Sequence, residues 1–175
     1  MNMTKEFQLQ TGEKIVKDLK PLPVLKWYFF LPGLIFAFIF LLGFVAPLFL
    51  LGRQFLGILL FIISTGLMYL VANNRYNYQH YWITNKRVLY RRGILGYTIS
   101  SIPLERISDV IVSRTFLERI FGFGSVLIQS LAGQISYRNR LGSEGSLLAV
   151  PDPEGTQKLI FDLIKKKRKS EKLSF

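Results

Sequence analysis

The chain has 175 residues, 50% of them hydrophobic, and a formal net charge of +12. Cysteine is absent and His80 is the single histidine, which excludes disulfides, thiol chemistry and metal sites built from Cys or clustered His. A chain this apolar and this charged has to segregate the two properties along its length, and it does: residues 27–72 carry one charge, Arg53.

In chain order, residues 1–26 form a polar N-terminal segment. Its stretch 11–19 fits a short helix or a strand at a surface, and Pro21 and Pro23 end any helix there. No short apolar stretch with a small-residue cleavage site follows, so a cleavable signal peptide is not expected. The first apolar run, 27–51, exceeds the roughly 20 residues that a helix needs to cross a hydrocarbon core. Trp27 and Tyr28 stand at its start, where amphipathic rings favour the headgroup layer. Pro32 is read near the helix start, and Pro47 in the last turn, where it bends the chain. Residues 52–54 make a very short connection to a second run, 55–72, in which Ser64, Thr65 and Gly66 suit close helix contact. A buried core helix in a soluble protein would account for either run alone, but a chain this short leaves nothing large enough to bury two. The sequence therefore predicts a transmembrane hairpin over 27–72. Lysines and arginines on both outer flanks place both termini in the cytoplasm and the turn outside.

After Ala72 the apolar period changes from helix to strand. Strands are expected over 76–83, 87–91, 97–102, 107–113, 125–131 and 147–150. A turn falls at Thr84-Asn85-Lys86, one helical turn at 116–121 stopped by Gly122, and a polar loop or hairpin end over 136–145. Pro151-Asp152-Pro153-Glu154 sets up a helix start, and Leu159, Ile160, Leu163 and Ile164 form an apolar stripe at helical spacing. These six strand segments, in a pattern read as roughly seven strands followed by one C-terminal helix, make a domain over 73–167 with a basic tail over 168–175.

Three linked segments carry a family likeness: Tyr81-Trp82-Ile83-Thr84-Asn85-Lys86-Arg87-Val88-Leu89-Tyr90 with Gly93-Ile94-Leu95; Ile102-Pro103-Leu104-Glu105-Arg106-Ile107-Ser108-Asp109-Val110; and Phe116-Leu117-Glu118-Arg119-Ile120-Phe121-Gly122-Phe123-Gly124. Together they resemble the bacterial pleckstrin-homology-like (PH-like) family over about 76–166. The resemblance implies an α+β membrane protein of a prokaryotic cell: a helical hairpin followed by a bent seven-stranded β-barrel capped by the C-terminal α-helix. A fold of this kind does not fix a function.

The residues offer little chemistry. Every acidic side chain lies outside 27–72, which leaves no support for an intramembrane proton relay. Glu105 and Asp109 read as a turn carboxylate and a strand-end carboxylate rather than a catalytic pair, and His80 as a packed strand residue. Gly122-Phe123-Gly124 lacks the third glycine and long helix of a phosphate loop and reads as a helix stop. No catalytic residue, cofactor or metal is assigned. What remains is positive charge: Lys165, Lys166, Lys167, Arg168 and Lys169 on the C-terminal helix, and Lys86, Arg87, Arg91 and Arg92 on the first hairpin after the apolar runs. These nine are the candidate lipid-headgroup residues, since basic side chains near an anionic leaflet gain about 1 kcal/mol each. The segment 73–77 reads as an extended tether of about 17 Å between the membrane and the first strand. The expected function is a non-enzymatic membrane-anchored adaptor, self-associating or an accessory subunit of a membrane assembly. The alternative is an anionic-lipid-binding module. Membrane lipids and a protein partner or second copy are the expected partners; nucleic acid and small-molecule substrates are not.

Overall fold

The computed structural model describes residues 7–47, 51–130 and 145–172, so the loop expected over 136–145 falls almost wholly outside the described residues. The fold is mixed α+β. Its elements are β1 (Ile15–Leu19), α1 (Val24–Phe40) continued by a π-helical stretch (Leu41–Val45), α2 (Gln54–Asn77), β2 (His80–Thr84), β3 (Arg87–Gly93) and β4 (Tyr97–Pro103). A 3-10 turn (Leu104–Arg106), β5 (Ile107–Ser113), α3 (Phe116–Ile120), β6 (Gly124–Ser130), β7 (Gly145–Val150) and α4 (Pro153–Lys172) complete it. The strands form two sheets, of order β1-β2-β3-β4 and β5-β6-β7. Among the described residues no ladder joins one sheet to the other, so the continuous barrel implied by the resemblance is not closed.

The chain divides into two compact units. A β unit comprises residues 1–22, 79–91 and 98–175; a helical unit comprises 23–78 with the β3–β4 hairpin tip, 92–97. The β unit thus starts before the apolar helices and resumes after them. Residues 11–19, which the sequence leaves open between helix and strand, supply β1, antiparallel to β2 with Leu19 opposite Tyr81 and Ile15 opposite Thr84. Among the described residues, six strands follow the helices and one precedes them.

Alternation along the strands explains the core. Leu19, Tyr81, Ile83, Val88 and Tyr90 from the first sheet meet Val110, Val126, Ile128, Leu147 and Val150 from the second, with Ile160 and Ile164 of α4 completing one buried cluster. Ile160 and Ile164 belong to the stripe expected from helical spacing. Gly145 opens β7 where a Cβ would fall 2.7 Å from Ile102 Cδ1 and 3.0 Å from Tyr90 Cε1, so a larger residue there would make those side chains shift. Opposite Gly124 and Val126 of β6, β7 carries a bulge at which Ala149 takes φ +53°. Two of its backbone groups find partners outside the ladder. The Tyr81 hydroxyl accepts from the Leu148 N–H at 2.9 Å, and the Ala149 carbonyl accepts from the Leu22 N–H at 2.9 Å. These two bonds stitch the first sheet and the chain beyond β1 to β7.

In the helical unit, α1 with its continuation and α2 are each long and apolar enough to cross a bilayer, and most of their side chains are exposed. Several boundaries differ from the sequence reading. The helix begins at Val24, so Pro32 stands inside it rather than near its start. Pro47 lacks an N–H to donate to Gly43 and its ring crowds that carbonyl; the helix widens to π geometry over Leu41–Val45, just before it. At the far end, α2 runs to Asn77, and Tyr78 N–H still donates to Asn74 O at 3.0 Å. Residues 73–77 are therefore helical rather than an extended tether, and Tyr76 and Asn77 are not part of β2. A close contact of α1 with α2 falls at Gly33 rather than at the small residue Gly66 expected to make one. A Cβ on Gly33 would lie 2.8 Å from Met68 Sδ, whereas nothing lies within 4 Å of one on Gly66. Phe30 meets Tyr69 edge to face at 6.1 Å beside that contact.

Candidate functional site

At one end of the β unit the turn Thr84-Asn85-Lys86-Arg87 grips the segment preceding β1. Asn85 accepts from Lys14 N–H at 2.8 Å and donates through Nδ2 to Gly12 O at 3.0 Å, and Lys86 Nζ donates to Thr11 O at 2.8 Å. Thr84 Oγ1 accepts from the Lys86 and Arg87 N–H groups, which tightens the turn, and lies 2.8 Å from Glu13 Oε1. Arg87 donates to both oxygens of Glu13, at 2.9 and 3.0 Å, and to Gln8 O at 2.9 Å. The Glu13 side chain is fully enclosed. Burial alone pushes its carboxyl up, but hydrogen bonds from Arg87, the Gln10 N–H and Thr84, with the charge of Arg87, outweigh it and hold the pKa below the ordinary value. Sequence reading missed Glu13 because its partner stands far along the chain; the left-handed Gly12 (φ +72°) just before it, in a turn closed by Glu13 N–H donating to Gln10 O, is the one local signal.

The same end collects the basic residues of α4. Lys86 O accepts from Leu104 N–H at 3.0 Å, which brings the 3-10 turn alongside, and Glu105 of that turn pairs with Lys167. Leu104, Glu105, Ile164, Lys167 and Arg168 line a shallow pocket there. α4 runs antiparallel to β5: Gln157 Nε2 donates to Val110 O, and by Lys167 the helix has reached the turn that opens β5. Lys165, Lys166, Arg168 and Lys169 are exposed on the last turns of α4, which stays helical to Lys172. The turn of the first hairpin and the C-terminal basic run thus converge on one end, although Arg87 and Lys86 are engaged by the N-terminal segment.

Arg91 and Arg92 lie elsewhere. Arg91 stands opposite His80 at the other end of the β2–β3 ladder, is buried, and lies over the Trp82 ring; Arg92 belongs to the hairpin tip that clusters with the helices. The nine candidates are therefore not one patch. This second end of the β unit is where the chain leaves for the apolar helices and returns: Leu22 is bonded to Ala149, and Gln79 Oε1 accepts from the Tyr81 hydroxyl at 3.0 Å. His80 is buried here, stacked on Trp82 at 4.4 Å and hydrogen-bonded to Asp18. The Trp82 indole N–H has no partner among the described residues.

Gly124 pairs with Val150 at this end, which places α3, the connection between β5 and β6, here as well. A capping box builds α3: Thr115 Oγ1 accepts from Glu118 N–H, and Glu118 Oε2 accepts from Thr115 N–H at 2.6 Å. Ser125 Oγ donates to the other carboxylate oxygen at 3.2 Å, so the charge of Glu118 is turned inward and buried. Gly122 stops the helix at φ +70°. Of the acidic residues weighed as a pair, Glu105 turns to Lys167, and Asp109 Oδ1 accepts from the Val110 N–H. Among the described residues no group of three or more His, Asp or Glu is placed to hold a metal ion.

Two apolar helices set into a two-sheet α+β unit capped by a C-terminal helix define the PH-like class. A family model described as bacterial PH domain matches residues 23–164, most of the chain, and the chain belongs to that family. The match begins after β1, the strand whose leading segment is held by the Thr84–Arg87 turn. No curated protein and no solved structure matches.

Proposed function

We propose that this chain is a non-enzymatic PH-like adaptor anchored in the cell membrane by its two apolar helices, either self-associating or serving as an accessory subunit of a membrane assembly. The observation that carries the reading is the insertion of the helices into the β unit between β1 and β2. Two short connections, residues 20–23 and Tyr78-Gln79, leave the same end of the β1–β2 ladder. An anchor held at two points restricts the reach and rotation of the unit, which suits a scaffold beside a membrane partner better than a mobile enzyme. Purification of the full-length protein in mild detergent, with mass determination and identification of co-eluting chains, tests it. A stoichiometric partner or a defined oligomer supports the adaptor; a lone monomer overturns it.

The alternative, an anionic-lipid-binding module acting through Lys165–Lys169 and the first hairpin, has less support. Lys86, Arg87 and the α4 run gather at one end of the β unit, about 20 Å along α4 from Pro153, while Arg91 and Arg92 lie elsewhere, and Lys86 and Arg87 are engaged by the N-terminal segment. The nine residues do not form the single basic patch that would favour a headgroup site.

A further inference from the structure

We infer that α3 is a second, peripheral membrane contact, whose apolar face embeds in the interfacial layer of the bilayer that the helices span. The inference rests on the membrane-anchored reading above. In this short helix and its stop, Phe116 is 77% exposed, Ile120 62% and Phe121 60%, with Leu117 exposed beside them. Four large apolar side chains on so short a segment form a patch that the core does not use, since Phe123, buried beside them, is the residue that anchors the segment.

Two independent observations name the occupant. First, α3 lies at the end of the β unit from which the chain leaves for the apolar helices. Gly124, just after α3, pairs with Val150, and the neighbouring Ala149 carbonyl holds Leu22, the last residue before the prolyl N-cap of α1. Gln79, at the return, reaches the same bulge through the Tyr81 hydroxyl, which bonds Leu148. If α1 and α2 cross a bilayer, connections as short as residues 20–23 and Tyr78-Gln79 keep this end of the unit within reach of its surface. Second, the charge on the segment is sorted to suit lipid. The sole carboxylate of α3, Glu118, is locked inside the cap, whereas Arg119 is exposed among the apolar side chains. An apolar face rimmed by arginine, its acid hidden, matches the boundary between acyl chains and anionic headgroups.

The chain lacks cysteine, so single spin labels can be placed without background. Full-length Phe121→Cys, Lys165→Cys and Leu59→Cys are labelled separately and reconstituted in vesicles of phosphatidylethanolamine and phosphatidylglycerol. Accessibility to dissolved oxygen, which concentrates in lipid, is compared with accessibility to a water-soluble nickel chelate. The expected result is a label at 121 that favours oxygen severalfold over the chelate, as the label at 59 does, while the label at 165 favours the chelate. A label at 121 that behaves like the one at 165, or that neither reagent reaches because a protein covers it, overturns the inference while leaving the anchor intact. Were the label at 59 to favour the chelate, the membrane-anchored reading itself would fail. Phe121 is exposed, so its replacement leaves the core untouched, and an Ile120→Cys label provides a second reading of the same face.

Discussion

The carboxylate of Glu13 takes two donors of the Arg87 guanidinium, Nε on Oε1 at 2.9 Å and Nη2 on Oε2 at 3.0 Å, across the point in the sequence where the two apolar helices are inserted. The pair therefore closes a covalent detour. It fixes the segment before β1 onto the strand pair after α2, and so determines that β1 joins the sheet rather than remaining a loose leader. With the Glu13 side chain fully enclosed, removing Arg87 strands a buried carboxylate, whereas removing Glu13 leaves a guanidinium that is partly exposed to water. Arg87→Ala is expected to destabilise the β unit by about 3–5 kcal/mol, and Glu13→Ala by less. The double variant should cost clearly less than the sum of the two. Chemical denaturation of the full-length protein in detergent, followed through the Trp82 environment, measures the cycle. Strict additivity would show that the two side chains do not act as a pair.

The same carboxylate makes stability depend on acid. Burial raises the Glu13 pKa, but the hydrogen bonds from Arg87, Gln10 and Thr84 and the charge of Arg87 bring the net value below its ordinary 4.5. A folded-state pKa below the unfolded one means that the unfolded chain binds the proton more tightly. The stabilisation is complete above the unfolded value and is lost as pH falls from about 4.5 through the lower folded value. Thermal midpoints recorded from neutral pH downward should therefore fall below pH about 4.5, and Glu13→Gln should show a shallower fall over that range. An equally steep acid limb in the variant would assign the loss to other carboxylates.

Most elements are legible in the sequence, and the gaps have physical causes. Strands β2 to β7 alternate or run apolar between turn residues, and α4 carries its stripe at Leu159, Ile160, Leu163 and Ile164 beneath an acidic start. β1 is not legible as a strand, because Ile15-Val16-Lys17-Asp18-Leu19 acquires its identity from Tyr81 and Thr84, partners on the far side of two helices. The end of α2 misleads for a different reason. Asn73, Asn74 and Arg75 end the apolar run, but hydropathy reports the solvent, and the backbone ladder continues through them to Tyr78. Charge was equally visible and equally incomplete at the site. Arg87 and Arg168 read alike as free cations, yet one is consumed by Glu13 and the other is exposed. α3 is legible as one helical turn, but its exposed face depends on where the core lies.

Tyr81 offers a test of the stitch between the sheets. Its hydroxyl accepts from Leu148 N–H at 2.9 Å and lies 3.0 Å from Gln79 Oε1, both inside the unit. Tyr81→Phe keeps the ring in the core and removes only the oxygen, leaving a buried N–H and a buried amide short of a partner. A loss of about 1–3 kcal/mol is expected. Denaturant midpoints would measure it, and an unchanged midpoint would show that water replaces the hydroxyl.

Ala149 predicts the opposite sign at the same bulge. Its φ of +53° lies in the left-handed region, where a Cβ costs roughly 1–2 kcal/mol. Ala149→Gly relieves that strain but adds freedom to the unfolded chain, so a net gain of up to about 1 kcal/mol is expected. Ala149→Val, branched at Cβ, should destabilise. If glycine destabilised as well, the Ala149 methyl, which is buried, would be contributing more through packing than its conformation costs.

Gly33 and Gly66 separate packing from composition in the helical unit. Both sit in apolar helices, yet a Cβ would press on Met68 Sδ at the first and meet nothing at the second. Met68 is flexible, so Gly33→Ala is expected to cost little, whereas Gly33→Ile should force α1 from α2 and lower the detergent-phase thermal midpoint. Gly66→Ile should leave that midpoint near the parent value in the monomer. Should Gly66→Ile instead break a native oligomer while the fold persists, the exposed Gly66 face would be the surface through which copies or partners meet. The adaptor reading would then acquire its interface.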